Sequence, residues 1–193
     1  MVRSSIFRRL AVPAAVSLAA GLGVVAAAGT ASAATTPAAD PTLTVTYPVT
    51  GSTFIARSQS TLPLGPGSLT STADLTTGAL TATLTLPPST GTFTRHGVPV
   101  TVTTELIAHG PATGTVNFTT SAVQSTSVVT LKIDALTVGG VSQPVSQNCE
   151  SVIPTTVSLT SDTGFNVLFG GPMSGTLSIP PFHHCGVPMG IIN

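Results

Sequence analysis

The chain has 193 residues, with six Lys or Arg, six Asp or Glu, no Trp and one Tyr. Charged residues make up only 6% of it and the three cations beyond Arg3, Arg8 and Arg9 are scattered, so neither a basic stripe for phosphates nor a set of rings for base stacking is available, and nucleic acid is excluded as an expected partner. The hydrophobic share is 41%, and Val, Leu, Ile and Thr alternate through most of the text, which places the chain among folded proteins with a surface of Thr and Ser hydroxyls.

Residues 1–33 have the three parts of a secretory signal: Arg3, Arg8 and Arg9, a largely apolar run over 10–28, and the small-residue site Ala31-Ser32-Ala33. Phe7 precedes Arg8-Arg9 and does not follow it, so the likeness to a twin-arginine signal is loose and Sec export is the default. Cleavage after Ala33 leaves roughly 160 residues, which suits one domain with a real core. That remainder carries Arg57, Arg95 and Lys132 against Asp40, Asp74, Glu105, Asp134, Glu150 and Asp162, and is therefore acidic. It has no later apolar run of spanning length, so no membrane span is expected after signal removal. With no Cys at the cleavage site and no sorting tail, the expected location is extracellular or loosely associated with the cell wall.

Residues 34–41 are Ala, Thr and Pro with one Asp, a composition expected to form a flexible leader before a single domain over 42–193. Leu43, Val45 and Tyr47 alternate with Thr up to Pro48, which is expected to end that strand; Phe54-Ile55 starts another after Gly51. The run 59–69 holds Pro63, Gly65, Pro66 and Gly67 and reads as a connection or an edge segment. Strands over 69–75 and 80–86 flank Thr77-Gly78, and strands over 91–95 and 98–108 flank His96-Gly97. After His109-Gly110-Pro111, residues 115–119 place Val116 and Phe118 on one face. The longest run is 127–138, with Val129, Leu131, Ile133 and Ala135 on one face and Thr130, Lys132 and Asp134 on the other. Gly139-Gly140 turns the chain towards Cys149.

No stretch of 34–193 keeps apolar residues at helical spacing for three turns, and the β-branched Thr and Val that dominate it are stiff in helices. The expected fold is all-β: an antiparallel β-sandwich, immunoglobulin-like or a related two-sheet architecture. A closed barrel, which also buries one face, remains the alternative. Cys149 and Cys185 are the only cysteines, and in an exported domain they are expected to form one disulfide.

Other chemistry is thinly supplied. His183 and His184 invite a metal reading beside Cys185, but neighbours on an extended chain point to opposite faces, and a bridged cysteine is no ligand; no metal site is expected. His96 and His109 sit at turns. Glu105 and Asp134 read as solvated strand residues, and no two of the six carboxylates are paired by spacing for general acid/base work. Gly-x-Ser-x-Gly, His-Glu-x-x-His and Walker patterns are missing, and Ser174 beside Gly175 reads as part of a turn. No catalytic residue and no cofactor is expected. Tyr47 is the sole ring with a polar tip for a sugar face, while Phe54, Phe93, Phe118, Phe165, Phe169 and Phe182 are expected in the core. A small apolar ligand can sit among Val, Leu and Phe without any signature in the text.

Cys149, the Val157-Ser-Leu-Thr-Ser161 strand, Phe165, Gly170-Gly171, and Ser174-Gly-Thr-Leu-Ser-Ile-Pro-Pro-Phe182 leading to Cys185-Gly186 form a pattern that resembles a group of small secreted β-rich proteins from actinobacteria. Leu75-Thr-Thr-Gly-Ala-Leu80 and Gly110-Pro-Ala-Thr-Gly-Thr-Val116 extend the likeness upstream, and His183-His184 lies outside it. The resemblance implies export and a β-rich fold and supplies no activity. Two functions follow as expectations. The first is a non-enzymatic binding or surface-interaction module at the bacterial cell envelope, with an envelope component or a small apolar ligand as partner. The second is an extracellular hydrolase or lipid carrier whose site forms only in the fold. A deep apolar pocket with converging polar side chains favours the second; a fully packed interior counts against it.

Overall fold

The computed structural model describes residues 2–4 and 40–187. Most of the expected signal and leader, and residues 188–193, lie outside the described residues. The chain is all-β, with no helix among those residues. Its strands are β1 (Val2–Ser4), β2 (Thr42–Ile55), β3 (Ser60–Asp74), β4 (Ala79–Thr85), β5 (Ser89–Arg95), β6 (Val98–Ala108), β7 (Ala112–Asn117), β8 (Ala122–Val138), β9 (Val141–Gln143), β10 (Glu150–Ser151), β11 (Thr155–Ser161), β12 (Met173–Leu177) and β13 (Phe182–His183).

All pairings are antiparallel, and hydrogen bonds join the strands into one 13-stranded sheet whose main path runs β1-β12-β11-β8-β7-β4-β3-β2. The expected separation into two sheets is bridged by β8, which is 17 residues long and changes partners along its length. Its first half lies between β7 and β11, through pairs such as Gly114↔Ser125 and Leu159↔Ser125. Its second half pairs with β6, from Val129↔Ala108 to Val138↔Val100, and with β9 and β10. Strand β5 adds to β6, so one long strand contributes to both walls of a common interior.

Strand β2 does not end at Pro48. It pairs with β3 through Pro48↔Ser68, shifts register between Val49 and Gly51, and continues to Ile55↔Ser60. The Pro- and Gly-containing run 59–69 lies largely within β3 and is no connection. Both β2 and the first half of β3 have hydrogen-bonded neighbours on one side only, where a proline's missing N–H leaves no ladder bond unmade. On its other side β3 lies against β5 without ladder pairing. Gly91 sits there so close that a Cβ would be 2.9 Å from Leu62 Cδ1.

Two kinds of turn set the registers. His96-Gly97 and Gly139-Gly140 have positive φ at both residues and close two-residue hairpins, which matches the twist of the flanking strands. The second kind uses an Asp or Asn oxygen to accept two backbone N–H groups. Asp74 Oδ1 accepts from Thr76 (2.7 Å) and Thr77 (2.8 Å), Asn117 Oδ1 from Thr119 and Thr120, and Asn166 Oδ1 from Leu168 and Phe169. The Thr77 and Thr76 N–H groups hold the Asp74 carboxyl below its ordinary range.

Two packed clusters anchor the interior: one around Val100, Leu131, Ile133, Leu136 and Phe182, the other around Ala73, Leu80, Val116, Val123 and Met173. Along β8 the simple alternation fails after Ile133. The register against β6 slips between Thr103 and Thr104, so Asp134 and Ala135 are both exposed while Leu136 is buried. Three of the expected core phenylalanines are not in the core. Phe54, Phe118 and Phe169 are exposed, the last by 71%, because Phe118 and Phe169 occupy turns and Phe54 follows the bulge on the outward face. Outward threonines pair across strands, Thr44 with Thr72 (3.0 Å), Thr46 with Thr70, Thr90 with Thr103 and Thr92 with Thr101 (2.9 Å). These pairs give the hydroxyl surface that the composition calls for.

Candidate functional site

The walls do not close on each other. Between them lies a cleft of about 970 Å³, at the upper end of the range of roughly 300–1,000 Å³ usual for small-molecule sites. Leu62 and Leu64 of β3, Val102 and Leu106 of β6, Leu131, Ile133 and Leu136 of β8, and Leu177 of β12 line it, with Phe93 at one side. An inner lobe of about 130 Å³ lies deeper, among Val45, Tyr47, Leu69, Val116, Phe165 and Met173. Leu84, Leu86, Leu106, Val157 and Leu159 border both spaces, so the two share a wall.

The cleft exists because the strands are fixed by their ladders while their inward side chains are small. Aromatics are 4% of the chain, and the inward positions are mostly Val, Leu and Ala, which cannot span the gap between the walls. An apolar chain that fills the inner lobe of about 130 Å³ would give its Val and Leu walls contacts they otherwise lack, and so would stabilise the fold.

One wall is a strap, residues 177–182, that leaves β12 and runs to β13. The strap is held by hydrogen bonds, Thr155 Oγ1 donating to the Ser178 carbonyl (2.7 Å) and the Val152 N–H to the Pro181 carbonyl (2.8 Å). It is then tied down by the Cys149–Cys185 disulfide, whose sulfurs are 2.00 Å apart. Both cysteines are at most 1% exposed, and β13 pairs with β10 beside them through Ser151↔Phe182. The bridge foreseen from the sequence is therefore also what fixes one side of the cleft.

Polar groups enter the cleft mainly from two hairpin ends. Arg57, Ser58 and Gln59 come from the β2–β3 turn, and Thr94 and Arg95 from the end of β5, with Thr53, Thr104 and Ser178 on the walls. Among the described residues that line it there is no His, Asp, Glu, Cys or Lys. The inner lobe has one ring with a polar tip: Tyr47, 7% exposed, donates its hydroxyl to the Val167 carbonyl, and burial pushes its pKa up to about 12. Tyr47 is thus no platform for a sugar face.

The remaining candidates fall elsewhere. Glu105 and Asp134 meet at Lys132, whose Nζ is 3.5 Å from Glu105 Oε2 and 2.9 Å from Asp134 Oδ1. Asp134 above all holds the ammonium pKa above its ordinary value. This is a solvated ion triad. The rings of His183 and His184 do not diverge as extended neighbours would. Their centroids are 4.2 Å apart, because His184 takes a positive φ of 54°. His183 Nδ1 donates to the Glu150 carbonyl (3.0 Å), and no group of three or more His, Cys, Asp or Glu able to hold a metal occurs among the described residues. Ser174 and Gly175 belong to β12 and not to a turn, with Ser174 Oγ donating to Asp162 Oδ1 (2.8 Å).

The cleft is what residue-by-residue reading missed. Its one sequence signal is the shortage of bulky side chains for so many inward positions. No protein-family model matches this chain, and no curated protein and no solved structure is significantly similar to it.

Proposed function

We propose that this protein is an extracellular binding module that takes up a small molecule with a long apolar body in the cleft between its two walls. A single observation supports the reading: a cleft of about 970 Å³ lined mainly by Leu, Val, Ile and Phe, in a fold whose ladders keep it from collapsing. The choice between the two sequence expectations shifts accordingly, towards a carrier and away from a module that works only through its surface. Carriage is favoured over hydrolysis because the lining residues include no imidazole or carboxylate to act as a base.

Magnitudes define the ligand. Each methylene moved from water into the cleft contributes about 0.8 kcal/mol, and association costs about 4–15 kcal/mol. Short apolar fragments are therefore held poorly, and a chain of ten or more methylenes is needed for useful affinity. The neutral dye N-phenyl-1-naphthylamine tests the site directly. Its fluorescence should rise on titration into the oxidised protein and fall when hexadecan-1-ol is added. A protein that leaves the dye dark, and that carries no co-purifying apolar molecule in native mass spectrometry, would sink the reading.

A further inference from the structure

Of the three Lys and Arg residues after Ala33, two, Arg57 and Arg95, line the cleft, while none of the six carboxylates does. The third cation, Lys132, is engaged by Asp134 and Glu105. Two of the three cations after Ala33 thus stand on the wall of this apolar cleft, which no carboxylate lines. Both stand at the ends of hairpins that border the cleft, Arg57 in the β2–β3 turn and Arg95 just before His96-Gly97. Arg57 is exposed and Arg95 half-buried, so the pair sits where the apolar walls give way to water.

An arginine there carries a fork of N–H donors that matches the oxygens of a carboxylate or phosphate and costs little to desolvate compared with an ammonium. Ser58, Gln59 and Thr94 supply neutral hydrogen-bonding groups beside the two guanidinium groups. We propose that the ligand is an anionic amphiphile: its acyl or alkyl chain lies among Leu62, Val102, Leu106, Ile133 and Leu177, and its carboxylate or phosphate head is held by Arg57 and Arg95. This rests on the apolar-cleft reading and adds the head group to it. Charge complementarity sets the polarity of entry, with the chain inward and the head at the hairpin ends.

The test compares probes of one chain length on the full oxidised protein: displacement of N-phenyl-1-naphthylamine by hexadecanoate, hexadecyl phosphate, hexadecan-1-ol and hexadecyltrimethylammonium. The expected result is that at least one anion displaces the dye about tenfold or more tightly than the alcohol, and the cation more weakly than the alcohol. Whichever anion is tighter identifies the head as carboxylate or phosphate. In the Arg57→Gln/Arg95→Gln double variant that preference should vanish, while a cooperative urea transition and retained uptake of the dye show that the variant is folded. Arg95→Lys, which keeps the charge and loses the fork, should retain part of it. If wild-type binds acid, phosphate, alcohol and cation alike, the head-group assignment is overturned and the apolar cleft stands. If the dye is taken up by neither form, both fall.

Discussion

A Cβ on Gly175 would lie 2.1 Å from the carbonyl oxygen of Ser158, closer than any side chain can approach backbone. Strands β11 and β12 meet at this point, and β12 leads directly into the strap that walls the cleft. Gly175→Ala must therefore push β12 away from its partner. The expected loss is about 1–3 kcal/mol, seen as a lower urea midpoint at unchanged slope. A midpoint equal to that of wild-type would contradict the close approach.

The disulfide closes a loop with a sequence separation of 36, for which loss of unfolded-chain entropy gives about 4 kcal/mol of stability. A Cys149→Ala/Cys185→Ala variant should show that loss in urea unfolding. It should also bind N-phenyl-1-naphthylamine several-fold more weakly, because residues 177–182 are then held only by β-pairing and hydrogen bonds. With both sulfurs buried, a mild reductant should act on the native protein only after it opens. Unchanged dye affinity in the double variant would separate the bridge from the site.

Leu106 lies on the wall shared by the cleft and the inner lobe. The chain contains no Trp, so Leu106→Trp installs a single tryptophan, which can be excited apart from Tyr47, while filling the junction. Uptake of hexadecan-1-ol should weaken about tenfold or more, and the tryptophan emission should shift when ligand is added. An emission spectrum indifferent to ligand at saturating concentration would place the ligand outside the cleft.

Tyr47 makes stability fall at alkaline pH. Its hydroxyl pKa is raised from 10.0 to about 12, so the folded state favours the neutral phenol. The stability this represents is fully present below pH 10 and is lost as pH rises from 10 to 12, a loss on the order of 2 kcal/mol. Tyr47→Phe should be less stable by about 1 kcal/mol at neutral pH, since the Val167 carbonyl loses its donor, yet should lack the alkaline loss tied to this group. The check is urea unfolding of both proteins across that window. Parallel curves throughout would mean that the ring is hydrated.

Hairpins with local turn chemistry were legible in the text. His96-Gly97, Gly139-Gly140 and Thr77-Gly78 fall at observed turns, because positive φ is a property of the residues themselves. The repeated Asp or Asn device was there to be read in Asp74-Leu-Thr-Thr-Gly78, Asn117-Phe-Thr-Thr-Ser121 and Asn166-Val-Leu-Phe-Gly170, and it explains why Phe118 and Phe169 are turn residues and not core. Pro48 and Pro63 misled because proline's penalty depends on whether a neighbour strand needs its N–H, which edge position decides. The slip at Thr103/Thr104 that turns Leu136 inward is likewise a matter of pairing, invisible to a period-two pattern.

By itself the amino-acid order determined an antiparallel all-β chain with one cross-link, since alternation, β-branching, turn residues and a lone pair of cysteines act over short range or admit one partner. Tertiary structure alone decided that β8 serves both walls, that the walls stand apart around a cleft, and that Arg57 and Arg95, 38 positions apart, line the same space. The physical reason is that a cavity is a property of distances between strands remote in sequence. Each lining residue is an ordinary inward Leu or Val, and only their failure to meet makes a site.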